Sequence, residues 1–212
     1  AALGGGAVAV NAAAAIAINL TRVDTFIGQG VVISGATSVT VASDIDSGAE
    51  AIILSVAVGG SAVGATVAVV VLKPTVCTYI GVTPTGTVLT QSQGSGGHVS
   101  ASGAVTVKND VSGNANVTGL SFAAGSAGSL NGTVALALNF VKGYAAINKA
   151  NVSAGSIAVS ALMDGDSTVT ALAGTFDGTF AMGLIIGIAY ISTDNRALID
   201  LTGSAVSATG TI

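Results

Sequence analysis

Large apolar residues fall on every second position in four stretches of this chain. They are Val8 and Val10 with Ile16 and Ile18; Val67, Val69 and Val71; Val134, Leu136, Leu138 and Phe140; and Ile186, Ile188 and Tyr190. The positions between them are small, as at Ala9, Ala15, Ala17, Ala68, Ala135, Ala137, Gly187 and Ala189. A period of two with β-branched residues predicts strands, because successive side chains of a strand point to opposite faces. Residue size then predicts that the bulky face turns inward. The Ala/Gly face turns outward, where a second sheet, a neighbouring molecule or a matrix could approach closely.

The four stretches are copies of one another: "AIAINLTRVDTFIG", "VAVVVLKPTVCTYIG", "VALALNFVKGYAAIN" and "IGIAYISTDNRALID". They close on Ile27, Ile80, Ile147 and Ile199, with gaps of 53, 67 and 52 residues. A second landmark follows the first three, as "TSVTVAS", "GAVTVKN" and "GSIAVSA". The long gap contains extra residues, read as an insertion over 82–98. A fixed period of this size marks a repeat architecture in which each unit buries its apolar face on the next. The predicted fold is all-β, a parallel β-solenoid resembling a β-helix. It has about four repeats of roughly 53 residues, over 3–59, 60–126, 127–183 and an incomplete 184–212, in one domain spanning 1–212. Each unit is expected to comprise several short strands separated by Gly, Ser, Asn and Asp turns. The predicted core is Val8, Val10, Ile16, Ile18, Ile27, Val67, Val69, Val71, Ile80, Val134, Leu136, Leu138, Ile147, Ile186, Ile188 and Ile199. Asn11, Asn19 and Asn139 are read as interior asparagine ladders. Neither end carries a polar cap, so the coils are expected to continue into more chain or into another subunit.

Ala51–Leu72 lacks charge over a length that could span a bilayer as a helix. A Gly/Ala-rich integral membrane protein is therefore the competing reading. Gly59, Gly60 and Gly64, the β-branched residues and the absence of aromatic or basic anchors favour strands instead. A transmembrane barrel would need aromatic girdles, and three Tyr with five Phe do not supply two. Charged residues make up 8% of the chain against about 25% in an average domain, and the net charge is −4. No basic footprint for nucleic acid exists. The chain does not begin with Met and shows no basic region before an apolar run, so a processed mature end or a piece of a longer protein is expected.

Chemistry-bearing residues are few. Cys77 is the only cysteine, which excludes an internal disulfide and leaves a thiol that is buried, free or linked to another chain. His98 is the only histidine and sits beside "GSGG" in the insertion, without the partners a catalytic set requires. A carbohydrate-active enzyme on a β-helix would present clustered carboxylates and basic residues along a groove. The six Lys and Arg are scattered instead. Asp44, Asp46, Asp164 and Asp166 fall at what reads as the same turn in different units. Oxygen ligands two residues apart can hold calcium, and turn-forming side-chain hydrogen bonds are the alternative. No other cofactor is expected.

The succession "VAVNAAAAIAINLTRVDTFIGQGVVISGATSVTVASD" resembles the repeat arrays of giant bacterial surface adhesins and leukotoxin-type filamentous adhesins. The second element of those arrays corresponds here to "DTFIG", "CTYIG" and "YAAIN"; the third corresponds to "VVISGATSVTVAS", "HVSASGAVTVKN" and "VSAGSIAVSA". Archaeal sheath or surface-fibre proteins share the composition. The resemblance implies an extracellular, non-catalytic stalk or filament at the cell surface. Its partner would be itself, end to end or laterally, or a host or matrix surface. The insertion 82–98 is the expected place for a separate contact.

Overall fold

The computed structural model describes residues 1–84 and 97–212. Among them the chain is all-β, and every strand pairing is parallel. The first segment contributes β1 (Ala2–Asn19), β2 (Arg22–Ile27) and β3 (Val32–Ala36). The second contributes β4 (Val39–Leu72), β5 (Thr75–Gly81) and β6 (His98–Ala101). The third contributes β7 (Ala104–Asn148) and β8 (Asn151–Ala154), and the last β9 (Ser156–Asp177), β10 (Ala181–Asp200) and β11 (Val206–Ala208). One large sheet joins β1, β4, β7, β5 and β2 in that order, with β9 and β10 also on β7. A small sheet runs β11-β8-β6-β3.

Like positions pair with like. Ile27 lies beside Ile80, Ile80 beside Ile147 and Ile147 beside Ile199, so the four isoleucines form one column. Val41, Val107 and Val159 form another. The extra residues of the long gap lie between Gly81 and His98. Ile27 pairs with Ile80 before them, and Val32 pairs with His98 after them. His98 is thus the first residue of β6 rather than part of a loop, and most of the insertion 82–98 lies outside the described residues.

The strands are far longer than the short ones expected, because they run through corners. β4 and β7 each fold back at a glycine corner, at Gly59–Gly60 and around Gly125, where the register shifts. An outbound leg (39–58 in β4) then faces a return leg (61–72). Contacts across the gap show it: Val111 packs with Val141, and Asn131 Nδ2 donates to the carbonyl of Ser121. The small sheet closes the far end, giving a three-sided region filled by Ile80, Val99, Val105, Val107, Ile147 and Val152. From there the two legs converge toward the corner. Their interior first mixes Ile53, Val70, Leu72 and Val117 with Ala51, Ala68, Ala115, Ala135 and Ala137, then thins to Ala9, Ala57, Ala62 and Ala123.

The orientation of the alternating face is a correction to the sequence reading. Val8, Val10, Ile16 and Ile18 are 61–71% exposed, and Val67, Ile186 and Ile188 are 40–50% exposed. Val69, Val71, Val134, Leu136 and Leu138 share that outer face and are half-buried only by their lateral neighbours. The small residues point inward instead. The reason is space: a Cβ on Gly119 would stand 2.9 Å from Thr133 Cγ2 of the facing leg, and one on Gly113 would stand 2.5 Å from Val141 Cγ2. Legs this close take mainly Ala, Gly, Ser, Thr and Asn, with single larger residues such as Val70, Leu72 and Val117 interleaved, but not continuous rows of Ile and Leu. Of the predicted core, Ile80 and Ile147 are fully buried, and Ile27 and Ile199 pack on the same cluster, because they lie in the wide three-sided end.

Buried amides tie the legs together. Asn139 Nδ2 donates to Gly113 O and Asp166 O, both at 2.8 Å; Asn11 Nδ2 donates to Val56 O at 2.9 Å. The asparagines do not form ladders as expected. Asn11 and Asn131 are separated in their column by Gly64, and Asn19 and Asn139 by Leu72. An amide N–H pointing across finds its acceptor in a facing backbone carbonyl, and the glycine beside it leaves it room.

Two glycines test how tightly the coils are set. Gly81 has φ +98°, and a Cβ there would run into the Asn148 carbonyl oxygen of the next coil. Gly30 has φ +74° with open space around it. Gly30→Ala is expected to destabilise by about 1 kcal/mol, the backbone term alone. Gly81→Ala should cost about 3 kcal/mol or more, adding the clash. Urea unfolding of the two variants measures the difference.

Candidate assembly interface

Because the interior takes the small residues, the bulky ones are left on the outside, where the columns continue from coil to coil. Across the return legs the outer face reads Val10–Val63–Leu130–Met182, then Ala14–Val67–Val134–Ile186. Next come Ile16–Val69–Leu136–Ile188 and Ile18–Val71–Leu138–Tyr190. Between the first two columns runs a row of smaller residues, Ala12–Ala65–Gly132, ending at Leu184. That row makes an open trough walled by Val63, Leu130, Met182 and Leu184. Four strands about 4.8 Å apart and nine residues at about 3.3 Å give a flat apolar face of roughly 20 by 30 Å. The outbound legs add a smaller apolar zone near the corner, including Ile52, Leu54, Leu120, Phe122 and Leu172.

Charge is confined to the rest of the coil. At the inner end of the return face stand Arg22, Thr75, Lys142 and Asp194, one column in the pairing register. The next column is Asp24–Cys77–Tyr144–Arg196. Here Arg22 pairs with Asp24 at 2.8 Å and Arg196 with Asp194 at 2.6 Å, while the Tyr144 hydroxyl donates to Asp194 at 2.7 Å. The Arg196 guanidinium also lies 5.9 Å from the Tyr144 ring centre. Burial alone would raise the Asp194 carboxyl, but the Tyr144 hydroxyl and the Arg196 charge outweigh it and hold the group below its usual range.

The acidic candidates lie on the outer face of the outbound legs, in the middle of long strands rather than at turns as expected. Asp44 sits beside Asp110, Asp46 beside Ser112 and then Asp164, and Asp166 beside Asn114. Their partners are local: Asp46 accepts from the Ser112 hydroxyl at 2.7 Å, and Lys108 pairs with Asp110 at 3.3 Å. Side chains two apart on a strand are about 6.6 Å apart and parallel, so they do not converge on one ion. Among the described residues no group of three or more His, Cys, Asp or Glu is placed to hold a metal. His98 is exposed on the small sheet, beside Asn151 in register.

Cys77 is 1% exposed, in a cluster with Tyr79, Tyr144 and Ala146. The sequence left the thiol buried, free or linked to another chain; the structure buries it, with Tyr144 and Ala146 contributed by the strand alongside. The exposed apolar face was likewise legible as the four alternating stretches, but residue size pointed their bulky side to the inside.

No family model, curated protein or solved structure matches the chain. Among the described residues no helix is long and apolar enough to cross a membrane.

Burial, reinforced by the nearby Asp24 carboxylate, pushes the Cys77 thiol from 9.0 up to about 12. The Tyr144 hydroxyl moves from 10.0 to about 12, mainly by burial and then by its bond to Asp194. Both groups stay protonated in the folded chain where the unfolded chain has lost its proton, so stability falls as pH rises across that window. Urea midpoints should hold level up to about pH 9 and decline from there toward pH 12. In Cys77→Ala the onset should move up to the Tyr144 window, beginning near 10.0. An unchanged onset in that variant would contradict the assignment.

Proposed function

We propose that this chain is a module of a non-enzymatic, extracellular structural protein: a β-solenoid stalk or filament of a cell-surface adhesin type, working by shape and self-association. One observation carries the reading. Successive segments place equivalent residues in continuous columns, with isoleucine over isoleucine from Ile27 to Ile199. A chain built that way extends along one axis by repeating itself, and its curvature and length, rather than a pocket, are what it offers a partner. The resemblance of its segments to filamentous adhesin repeats supports the cell-surface assignment. The scarcity of charge fits the stacking, since a charged column places like charges about 4.8 Å apart. Asp44 beside Asp110 is the exception, and Lys108 sits next to that pair.

A structural role also accounts for the distribution of polar groups. Many of the buried hydroxyls and amides bind one another or the facing backbone: Thr78 donates to Ser43 at 2.7 Å, and Asn139 Nδ2 to the Gly113 carbonyl at 2.8 Å. They hold the legs together and are not aimed at an open cleft.

Electron microscopy with fibre diffraction tests the reading. Fibres with a meridional reflection near 4.8 Å are expected, because the strands lie across the long axis. Discrete particles that never associate end to end, at any protein concentration, would overturn it.

A further inference from the structure

We infer that the outer face of the return legs is the site where two copies of this chain join side by side, face to face, as a two-fold pair. The inference rests on the structural reading above and names its lateral contact. The footprint of roughly 600 Å², before side-chain relief is added, is comparable with the ~800 Å² each partner contributes to a stable complex. It also reaches the size at which an apolar patch on a soluble chain marks a binding surface.

The face is self-complementary in two respects. It carries no charge: none occurs before Arg22, between Glu50 and Lys73, between Asp110 and Lys142, or between Asp177 and Asp194. Two identical faces therefore meet without opposing like charges. It is also ridged. The trough along Ala65 and Gly132 lies beside the ridge of Val67, Val134 and Ile186, so each copy can seat its ridge in the trough of the other. An identical patch meeting itself closes after two copies, which limits this contact to pairs of coils rather than open stacks.

A lipid surface is the other occupant that an apolar face could take, and the sheet edges argue against it. β1 and β10 each pair on one side only, so their free N–H and C=O groups would enter hydrocarbon along with the face. A second flat sheet covers the face and leaves those edges in water.

Sedimentation analysis of the chain across the micromolar range tests this, alongside Val67→Asp and Leu136→Asp on the face and Asn116→Asp on the outer face of the opposite leg. The unchanged chain and Asn116→Asp should form pairs. The two face variants should weaken pairing about 100-fold or more while keeping the β circular-dichroism spectrum. Should an aspartate variant fail to fold, Val67→Thr with Leu136→Thr repeats the comparison with residues suited to strands. A monomeric unchanged chain, or face variants that pair as it does, would overturn the inference. So would flotation of the monomer with phosphatidylcholine vesicles. The two proposals fail separately. If fibres keep the 4.8 Å reflection but the face variants do not narrow them, only the lateral contact falls. If no fibres form while the pair persists, only the filament reading falls.

Discussion

The closeness of two facing legs governs this structure. Each long strand turns back on itself at glycine, and near that corner the legs leave room for little more than a methyl or hydroxyl group. Stacking of bulky aliphatic groups cannot hold such an interior, so the usual arrangement is inverted. Near the corner small residues fill the inside and amides and hydroxyls bridge it; further along, single larger residues such as Val70, Leu72, Val111 and Val117 are buried among them, while most of the alternating valine, leucine and isoleucine columns face outward. Away from the corner the small sheet props the legs apart, and there Ile80, Ile147 and the valines around them form an ordinary aliphatic core. One cross-section thus contains two kinds of interior, set by distance from the turn.

This explains what the alternation could and could not convey. A period of two states which residues share a face, and the repeat spacing states which residues lie side by side; both follow from backbone geometry, so both could be read directly. The isoleucine column and the all-β, parallel character are of that kind. Which face is inside is not contained in the alternation, because inverting the strand preserves it. Assigning Val8, Val67 and Ile186 to the interior by size presumed a wide core. The information that corrected it lay in the other leg: Gly113, Gly119 and Gly125 are glycines because the return leg presses on them. Only the pairing of outbound with return legs reveals that pressure, and it is a long-range fact.

The same reasoning separates the acids from the asparagines. Asp44, Asp46, Asp164 and Asp166 read as turn residues in the sequence because Asp, Gly and Ser cluster in turns. Within a coil of this length they are the solvent face of an uninterrupted strand. Asn11 and Asn139, by contrast, were correctly expected inside, but for a different purpose. Lateral ladders would strengthen the stack along its axis. Bonds to the facing carbonyls instead hold the legs shut, a task that matters most where aliphatic contacts are scarce.

An apolar exterior over an interior of mostly small residues carries a consequence for assembly. The interior is already out of water, so association removes no further apolar area there. The surface is where apolar area still meets water, and association is the step that removes it. Folding and assembly therefore draw on different residues. Substitutions at Ala, Gly, Ser and Asn should affect whether a coil closes, whereas substitutions on the valine and leucine columns should affect what the closed coil does next. A chain arranged in this way can keep its shape fixed while its outward columns vary to suit the neighbour. Under the proposed structural role, that division lets folding and association be set by separate residues.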